Sequence, residues 1–352
     1  MLVLSSADVD ALVAEISPDE LAQLMAVVFR RVSENSGVDM PHRLSVRTKS
    51  HNTLFMPSHV DTYGTAIKIV SVPTSGGSDG LPATTLVMDE TSGGVKAVVN
   101  ARNLTAIRTA AGSLLATQLA LGPNASPRIL VVFGAGAQIA AHITLLLRYY
   151  SGSLRRCIIY NRSLNARAEK LVESLRRNFT SVTFLCRQTP ENTDGVGDDA
   201  NSLQSDLGSS DIICAATPST KALFPSSFVR PRTHLNLVGS YTPQMMEVET
   251  SLIHRAGLLM VDSRSACMLE AGELVAAGVR PEDVREVGEL VGTDSEMPPR
   301  DSSGDRITIF KSVGLGVQDV VIAKLVVDLA KTKGVGYNLN SYDDRNPTVV
   351  QS

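Results

Sequence analysis

Residues 128–147 combine an apolar run, two closely spaced glycines and a second apolar run with helical spacing. The five apolar residues that begin at Ile129 have the length and the β-branching of a strand buried in a parallel sheet. Gly134 and Gly136 follow at once. Such a turn lets the backbone approach a pyrophosphate, and the N-terminus of the next helix offers N–H groups to the phosphates. The pattern predicts a dinucleotide site, although the third glycine of G-x-G-x-x-G is absent and an ordinary buried turn is the alternative.

Asn161, Arg162 and Ser163 follow the second strand predicted in this region. An acidic residue near this point binds the ribose 2′-hydroxyl in NAD sites. A neutral residue followed by an arginine and a hydroxyl suits a 2′-phosphate instead. The segment therefore predicts NADPH rather than NADH. The alternative is a surface turn in which Asn161 caps a helix.

Three cations stand in otherwise apolar or small-residue segments: Arg47, Lys68 and Arg108. A cation among core residues needs an anionic or carbonyl partner, and the planar guanidinium of arginine matches a carboxylate. The partner is either the carboxylate of a substrate or an acidic side chain of the protein. The residue types alone leave both alternatives open.

Composition restricts the classes of function. The chain has 352 residues, enough for two domains, with 33 Lys and Arg against 36 Asp and Glu and a net charge of −3. This balance predicts neither nucleic acid nor an anionic membrane surface as a partner. No apolar run has the length of a membrane span, and the first residues lack a signal-peptide pattern. The scattered cysteines and histidines show no metal-ligand spacing, so a cytoplasmic protein without a metal is expected.

Elements that position these residues fall into two groups. Residues 6–35 predict helices, and a helix over 103–121 ends before Gly122. The strands predicted between them follow each other closely, which favours an antiparallel or mixed sheet; they cover residues 43–49, 53–56, 64–72, 84–89 and 95–99.

Strands and helices alternate from residue 127 on, which predicts a doubly wound parallel sheet of the Rossmann type. The strands cover 129–133, 157–160, 182–185, 211–215, 234–238 and 258–261, and the helices cover 137–149 and 164–177. Residues 307–333 predict a strand and a long helix. Polar residues predict loops at 74–80, 187–209 and 291–306, and an arm or tail after 334. The fold class is thus α/β, a Rossmann sheet plus an α+β domain.

Four segments, in this order and spacing, resemble the ornithine cyclodeaminase/mu-crystallin family. They are Leu104-Thr-Ala-Ile-Arg-Thr-Ala-Ala-Gly-Ser, Val132-Phe-Gly-Ala-Gly-Ala-Gln, Ala215-Ala-Thr-Pro-Ser-Thr and Leu237-Val-Gly-Ser. The resemblance covers residues from about 40 to 330 and implies a homodimer. It also implies a substrate and dimerisation domain over 1–122, completed by 311–352, and a Rossmann domain over 123–310.

The resemblance also implies roles for individual residues. Arg47, Lys68 and Arg108 match residues that bind the substrate carboxylate, and Met56 matches a contact beside them. The other matching residues belong to the cofactor site: Gly136, Ala137 and Gln138 match the phosphate turn, Thr217 the loop beneath the nicotinamide ribose, and Val238, Gly239, Ser312, Val313 and Gly314 the walls of the nicotinamide pocket.

Two positions depart from the ornithine cyclodeaminases. Tyr241 stands where these enzymes have a catalytic aspartate, and Leu54 stands where a glutamate is expected. Both carboxylates that would hold and activate a distal amine are therefore missing. The ketimine reductases of the family also lack this aspartate and use NADPH.

The predicted function is therefore an NADPH-dependent reductase of an α-imino acid, either a ketimine or a cyclic imine such as pyrroline- or piperideine-2-carboxylate. Lys68 is the candidate proton donor, and Tyr241 can donate one hydrogen bond to the substrate. An ornithine cyclodeaminase or an NAD(P)-dependent amino-acid dehydrogenase is the first alternative. An NADPH-binding, crystallin-like protein without significant turnover is the second.

Overall fold

The computed structural model describes residues 1–74, 81–190, 198–292, 306–340 and 342. The chain divides into two compact units. The first unit comprises Met1–Ser17, Gly37–Arg108 and Gly316–Ser352, and the second comprises Pro18–Ser36 and Thr109–Leu315.

Strands and helices of the described residues are numbered in chain order. The strands are β1 Leu2–Leu4, β2 Val38–Asp39, β3 Leu44–Arg47, β4 His51–Val60, β5 Gly64–Pro73, β6 Ala83–Met88, β7 Val95–Asn100, β8 Ile129–Phe133, β9 Arg156–Asn161, β10 Thr183–Gln188, β11 Ile212–Ala215, β12 His234–Leu237, β13 Ala256–Val261, β14 Arg285–Glu286, β15 Ile307–Lys311 and β16 Tyr337–Asn338. The helices are α1 Ser6–Glu15, α2 Pro18–Ser33, α3 Leu104–Leu121, α4 Ala137–Tyr149, α5 Ala166–Asn178, α6 Asp198–Ser209, α7 Thr250–His254, α8 Arg264–Glu270, α9 Gly272–Ala276, α10 Val287–Leu290 and α11 Gly316–Lys333.

The first unit is built on a mixed sheet with the strand order β16-β1-β7-β6-β5-β4-β2, in which β3 also pairs with β4. Strands β1 and β7 are parallel, and the other pairs are antiparallel. Buried and half-buried residues alternate along β5 and β6, as expected where a helix covers one face of a sheet. Helix α11 packs against β4 and β5 on the buried face. The long C-terminal helix is thus the element that closes this core.

Helix α2 belongs to the second unit, although residues 1–122 were predicted to form the other domain. Its buried stripe includes Met25 and Phe29, and it packs on α10 and α4. A Cβ atom at Gly288 would lie 1.9 Å from the Phe29 carbonyl oxygen, so only glycine permits this approach. Residues 109–122 join the same unit, in which Ser113 Oγ lies 2.8 Å from His142 Nε2. The boundary is set by this packing, which the end of helix α3 does not reveal.

The second unit is a parallel sheet with the strand order β10-β9-β8-β11-β12-β15-β13-β14. The predicted Rossmann-type α/β class is confirmed. Its core is apolar on both sides of the sheet, because Leu130 and Val132 on one face and Val131 and Phe133 on the other are all buried. Strand β15 lies between β12 and β13, which brings its C-terminal end to the edge where β11 and β12 also end.

Several elements differ from the sequence-based expectation. Helix α6 occupies the second half of the segment 187–209 that was predicted as a loop, because Leu203 and Leu207 supply a buried apolar stripe among polar residues. Strands β1, β2, β14 and β16 and the short helices α7 to α10 were not predicted. Parts of the loops predicted at 74–80, 187–209 and 291–306 and of the predicted tail lie outside the described residues, namely 75–80, 191–197, 293–305, 341 and 343–352. Within the described part of the chain, no helix combines the length and the hydropathy needed to cross a membrane.

Candidate active site

The glycine turn after β8 has the geometry that a pyrophosphate requires. Gly134 has a φ of +110°, and a Cβ atom there would lie 3.2 Å from the carbonyl oxygen of Ala216. Gly136 is the N-cap of α4, no side chain caps this helix, and a Cβ atom at Gly136 would meet no atom within 4 Å. The first N–H groups of a helix without a side-chain cap are the donors that bind phosphates. This turn, which continues into Ala137 and Gln138, therefore fits the pyrophosphate of a dinucleotide.

Strand β9 ends at Asn161, and Arg162 and Ser163 are exposed beyond it. The Asn161 amide donates a hydrogen bond to the Ser163 carbonyl oxygen at 2.7 Å. The alternative that Asn161 caps a helix is wrong, because Asn165 accepts hydrogen bonds from the first N–H groups of α5. Asn161 instead orders the turn that presents the arginine and the hydroxyl.

A buried carboxylate joins the loops that follow β11 and β12. Glu247 accepts hydrogen bonds from the Thr217 N–H at 2.6 Å and the Thr217 hydroxyl at 2.9 Å through Oε1, and from the Gly239 N–H at 2.7 Å through Oε2. A Cβ atom at Gly239 would lie 2.1 Å from the Thr217 carbonyl oxygen. Burial raises the pKa of Glu247, and nearby Lys311 opposes this increase. Glu247 thus fixes the two loops predicted to contact the nicotinamide end; between them, Val238 donates to the Ala215 carbonyl oxygen.

A second buried carboxylate holds the segment after β15. Asp262 Oδ2 accepts hydrogen bonds from the Ser312 hydroxyl at 2.8 Å, the Val313 N–H at 2.9 Å and the Gly314 N–H at 2.7 Å. Gly314 has a φ of +82°, a conformation that side chains disfavour. Three loops at the C-terminal edge of the sheet, the place where such sheets bind their ligands, are therefore held by Glu247 and Asp262.

In the first unit, Lys68 and Arg108 lie beside the same carboxylate. Lys68 Nζ is 2.7 Å from Asp319 Oδ2, and Arg108 Nε donates to Asp319 Oδ1 at 3.1 Å. Arg108 Nη1 also donates to Gln318 Oε1 at 3.0 Å. Lys68, Arg108 and Asp319 are 2%, 4% and 4% exposed. Burial and Arg108 lower the pKa of Lys68 to about 8, and Asp319 opposes this decrease.

This buried cluster of Lys68, Arg108 and Asp319 carries two positive charges and one negative charge while Lys68 is protonated. The acidic partner considered from the sequence therefore exists, but it neutralises only one of the two cations. Asp319 was missed because it is 211 residues from Arg108 and stands in a largely apolar helix. The cluster has the charge that one bound monoanion would balance.

The three other predicted substrate residues differ in burial and in position. Met56 is buried and stands opposite Lys68 in the β4–β5 pairing. Arg47 is exposed on β3 and is not part of the buried cluster. Tyr241 is half-buried in the second unit, after a serine whose hydroxyl donates to the Met245 carbonyl oxygen. Among the described residues, no group of three or more His, Cys, Asp or Glu side chains is placed to hold a metal ion.

These features define a class of protein in which a Rossmann unit with a dinucleotide turn accompanies a mixed-sheet unit with a buried cationic cluster. The sequence profile of the ornithine cyclodeaminase/mu-crystallin family matches residues 2–334, and the chain belongs to this family. The predicted family is confirmed.

The chain is similar in sequence or in structure to several known proteins. Protein SAR DEFICIENT 4 of Arabidopsis thaliana is 33% identical over 304 residues, which cover 83% of this chain and 87% of that protein. A Delta(1)-pyrroline-2-carboxylate reductase of Bacillus cereus is 26% identical and covers 96% of this chain and 98% of its own. The structure of Thermococcus litoralis Delta(1)-pyrroline-2-carboxylate reductase in complex with NADH and L-proline has a TM-score of 0.79 at 23% identity, covering 96% of this chain and 100% of that chain. The last comparison supports the fold.

Proposed function

We propose that this chain, an oxidoreductase that uses a nicotinamide dinucleotide, reduces an α-imino acid to the amino acid with NADPH. The observation that carries the proposal is the buried cluster of Lys68, Arg108 and Asp319, which retains one positive charge for a substrate carboxylate. The reductase from Bacillus cereus, which covers nearly the whole chain, acts by its name on a cyclic substrate of this kind.

In the proposed reaction the cluster orients the substrate. Arg108 uses two of its five N–H groups for Asp319 and Gln318, so further donors remain for a carboxylate. Holding the carboxylate fixes the direction of the adjacent C2=N bond. The bound cofactor supplies the hydride for C2. The imine nitrogen gains one proton, for which Lys68 is the proposed donor, since its lowered pKa lies close to neutral pH.

NADPH is the proposed cofactor because Arg162 and Ser163 follow β9 without an intervening acidic residue. The Thermococcus litoralis protein was solved with NADH, so the choice within this family has to be measured. The test compares kcat/KM for the two cofactors with one imino acid. Equal or better efficiency with NADH would contradict this part of the proposal.

The structure also bears on the ornithine cyclodeaminase alternative. A cyclodeaminase would need another carboxylate in place of the missing aspartate, and Glu247 and Glu249 are the acidic residues nearest to Tyr241 along the chain. Glu247 is fully buried and accepts hydrogen bonds from Thr217 and Gly239. Glu249 accepts hydrogen bonds from the Ser226 N–H at 2.6 Å and from the Ser251 hydroxyl at 3.1 Å. Both are engaged elsewhere, which supports an imine reductase.

The deciding experiment measures NADPH oxidation with pyrroline-2-carboxylate, piperideine-2-carboxylate and α-keto acids mixed with amines. A cyclic imine without a carboxylate, such as 1-pyrroline, is the matched control, and we expect it to be a poor substrate. No oxidation with any imino acid would favour the binding-protein alternative. Proline and ammonia released from ornithine would favour the cyclodeaminase alternative, whereas we expect neither.

A homodimer is part of the proposal. On the face of the first sheet opposite α11, four apolar side chains, which are Pro57, Ile67, Leu86 and Val98, form one row across β4, β5, β6 and β7 and are half-buried. A second copy of the chain would cover such a face. Sedimentation equilibrium should give twice the chain mass, and Ile67→Lys should shift the protein to the monomer.

The four cysteines are free thiols, in keeping with the proposed cytoplasmic location.

A further inference from the structure

Three buried side chains stand in one row on the face of the first sheet that α11 covers. Met56 on β4 is opposite Lys68 on β5, and Lys68 is opposite Thr85 on β6. All three point to the buried face, where Asp319 of α11 meets Lys68. Side chains directly opposite each other on neighbouring strands have Cβ atoms about 4.5–5.5 Å apart. Thr85 is therefore an immediate neighbour of the lysine in the buried cluster.

Thr85 is 1% exposed, and its hydroxyl has no hydrogen-bond partner among the residues that the structure describes. Three other hydroxyls of this sheet, those of Thr53, Ser71 and Ser58, have partners. Thr53 and Ser71 pair with each other at 2.9 Å, and the Ser58 hydroxyl donates to the Pro57 carbonyl oxygen at 2.6 Å. A buried hydroxyl without a partner is unfavourable, and a methyl group of the same shape would avoid that cost. The position of Thr85 beside Lys68 indicates a ligand as its partner.

We propose that the Thr85 hydroxyl donates a hydrogen bond to the substrate carboxylate that Lys68 and Arg108 hold. The inference rests on the proposed function. The charge of the cluster supports this role, because one bound monoanion together with Asp319 balances the two positive charges of Lys68 and Arg108. A hydroxyl adds a donor without adding charge, so it strengthens the binding of a monocarboxylate and leaves the balance intact.

The test uses Thr85→Val, which removes the hydroxyl and keeps the shape. With saturating NADP⁺, the Kd for pyrrole-2-carboxylate, a planar analogue that cannot be reduced in this way, should rise about tenfold or more. The melting temperature without ligand should stay the same or rise, because the unpaired hydroxyl is gone. Thr85→Ser should restore most of the affinity. Thr84→Val, on the other face of β6, is the matched control and should leave the Kd unchanged.

Two results would overturn the inference. If Thr85→Val lowers the melting temperature and leaves the Kd unchanged, the hydroxyl has only a structural role. If neither pyrrole-2-carboxylate nor L-proline binds the wild-type protein, the cluster does not hold a carboxylate. Because binding needs no turnover, a wild-type protein that binds the analogue but reduces no imino acid would count against the proposed function and leave the role of Thr85 supported. In kinetics, Thr85→Val should raise KM more than it lowers kcat.

Discussion

Asp319→Asn tests whether one carboxylate keeps Lys68 protonated. Lys68 Nζ and Asp319 Oδ2 are 2.7 Å apart, and both side chains are almost fully buried. Burial and the positive charge of Arg108 lower the pKa of Lys68 from 10.5 to about 8, whereas Asp319 raises it. The amide has nearly the shape of the carboxylate but no charge. The pKa of Lys68 should therefore fall below its wild-type value.

The quantity to measure is kcat/KM for the imino acid as a function of pH. Protonated Lys68 is needed to hold the carboxylate, so kcat/KM of the wild-type protein should fall as the pH rises through about 8. Loss of an adjacent opposite charge lowers such a pKa by about 1–3 units, so kcat/KM at pH 8 should fall about 5-fold for one unit and about 50-fold for two. Activity should return as the pH is lowered.

The stability of the folded chain also depends on the protonation of Lys68. Because the pKa of Lys68 is lower in the folded chain, its protonated form is disfavoured there. The resulting decrease in the free energy of unfolding is absent above pH 10.5 and fully present below about pH 8. At about 1.4 kcal/mol per pH unit, the cost at neutral pH is about 3 kcal/mol. Removing one partner of a buried ion pair costs about 3–5 kcal/mol, so urea denaturation should show a less stable Asp319→Asn protein at neutral pH.

Asp328→Asn is the matched control. Asp328 is on the same helix and 2.6 Å from a lysine, Lys324, but it is exposed. This variant should keep the wild-type pH profile. The pKa of the substrate is the same for all variants, so a difference between profiles belongs to the protein. A folded Asp319→Asn protein with the wild-type alkaline midpoint would refute the assignment of Lys68 and Asp319.

The remaining predictions concern the carboxylate and the cofactor. Arg108→Ala and Lys68→Ala should each cost about 2–5 kcal/mol in kcat/KM while NADPH still binds, as followed by its fluorescence; normal turnover in both would make these cations purely structural. The wild-type protein should prefer NADPH about ten- to a hundredfold, since charge-assisted pairing contributes about 1.5–3 kcal/mol. Arg162→Asp should reverse that preference, and an unchanged ratio would contradict the assignment. Glu247→Gln should lower the melting temperature and raise KM for NADPH, because an amide N–H would face the Gly239 N–H; unchanged values would show that Glu247 does not position the loops.

The sequence by itself predicted what depends on neighbours along the chain. The strand, glycine turn and helix of residues 129–149 follow from local rules, because a short apolar run, a φ that favours glycine and a helix N-terminus are written in consecutive residues. The parallel direction of the strands in the second sheet was predicted from their alternation with helices along the chain. Lys68 and Arg108 were found because a charge in an apolar segment is visible locally.

Only the tertiary structure decided which groups meet. Asp319 joins Arg108 from 211 residues away, and no pattern in α11 marks it as the partner of a lysine on β5. Thr85 became a candidate only when the strand register placed it beside Lys68 with its hydroxyl unpaired. The role of Glu247 was also not visible in the sequence, because the two loops that it joins follow different strands, β11 and β12. Ion pairs and cross-strand neighbours depend on distances in space, which spacing along the chain does not determine.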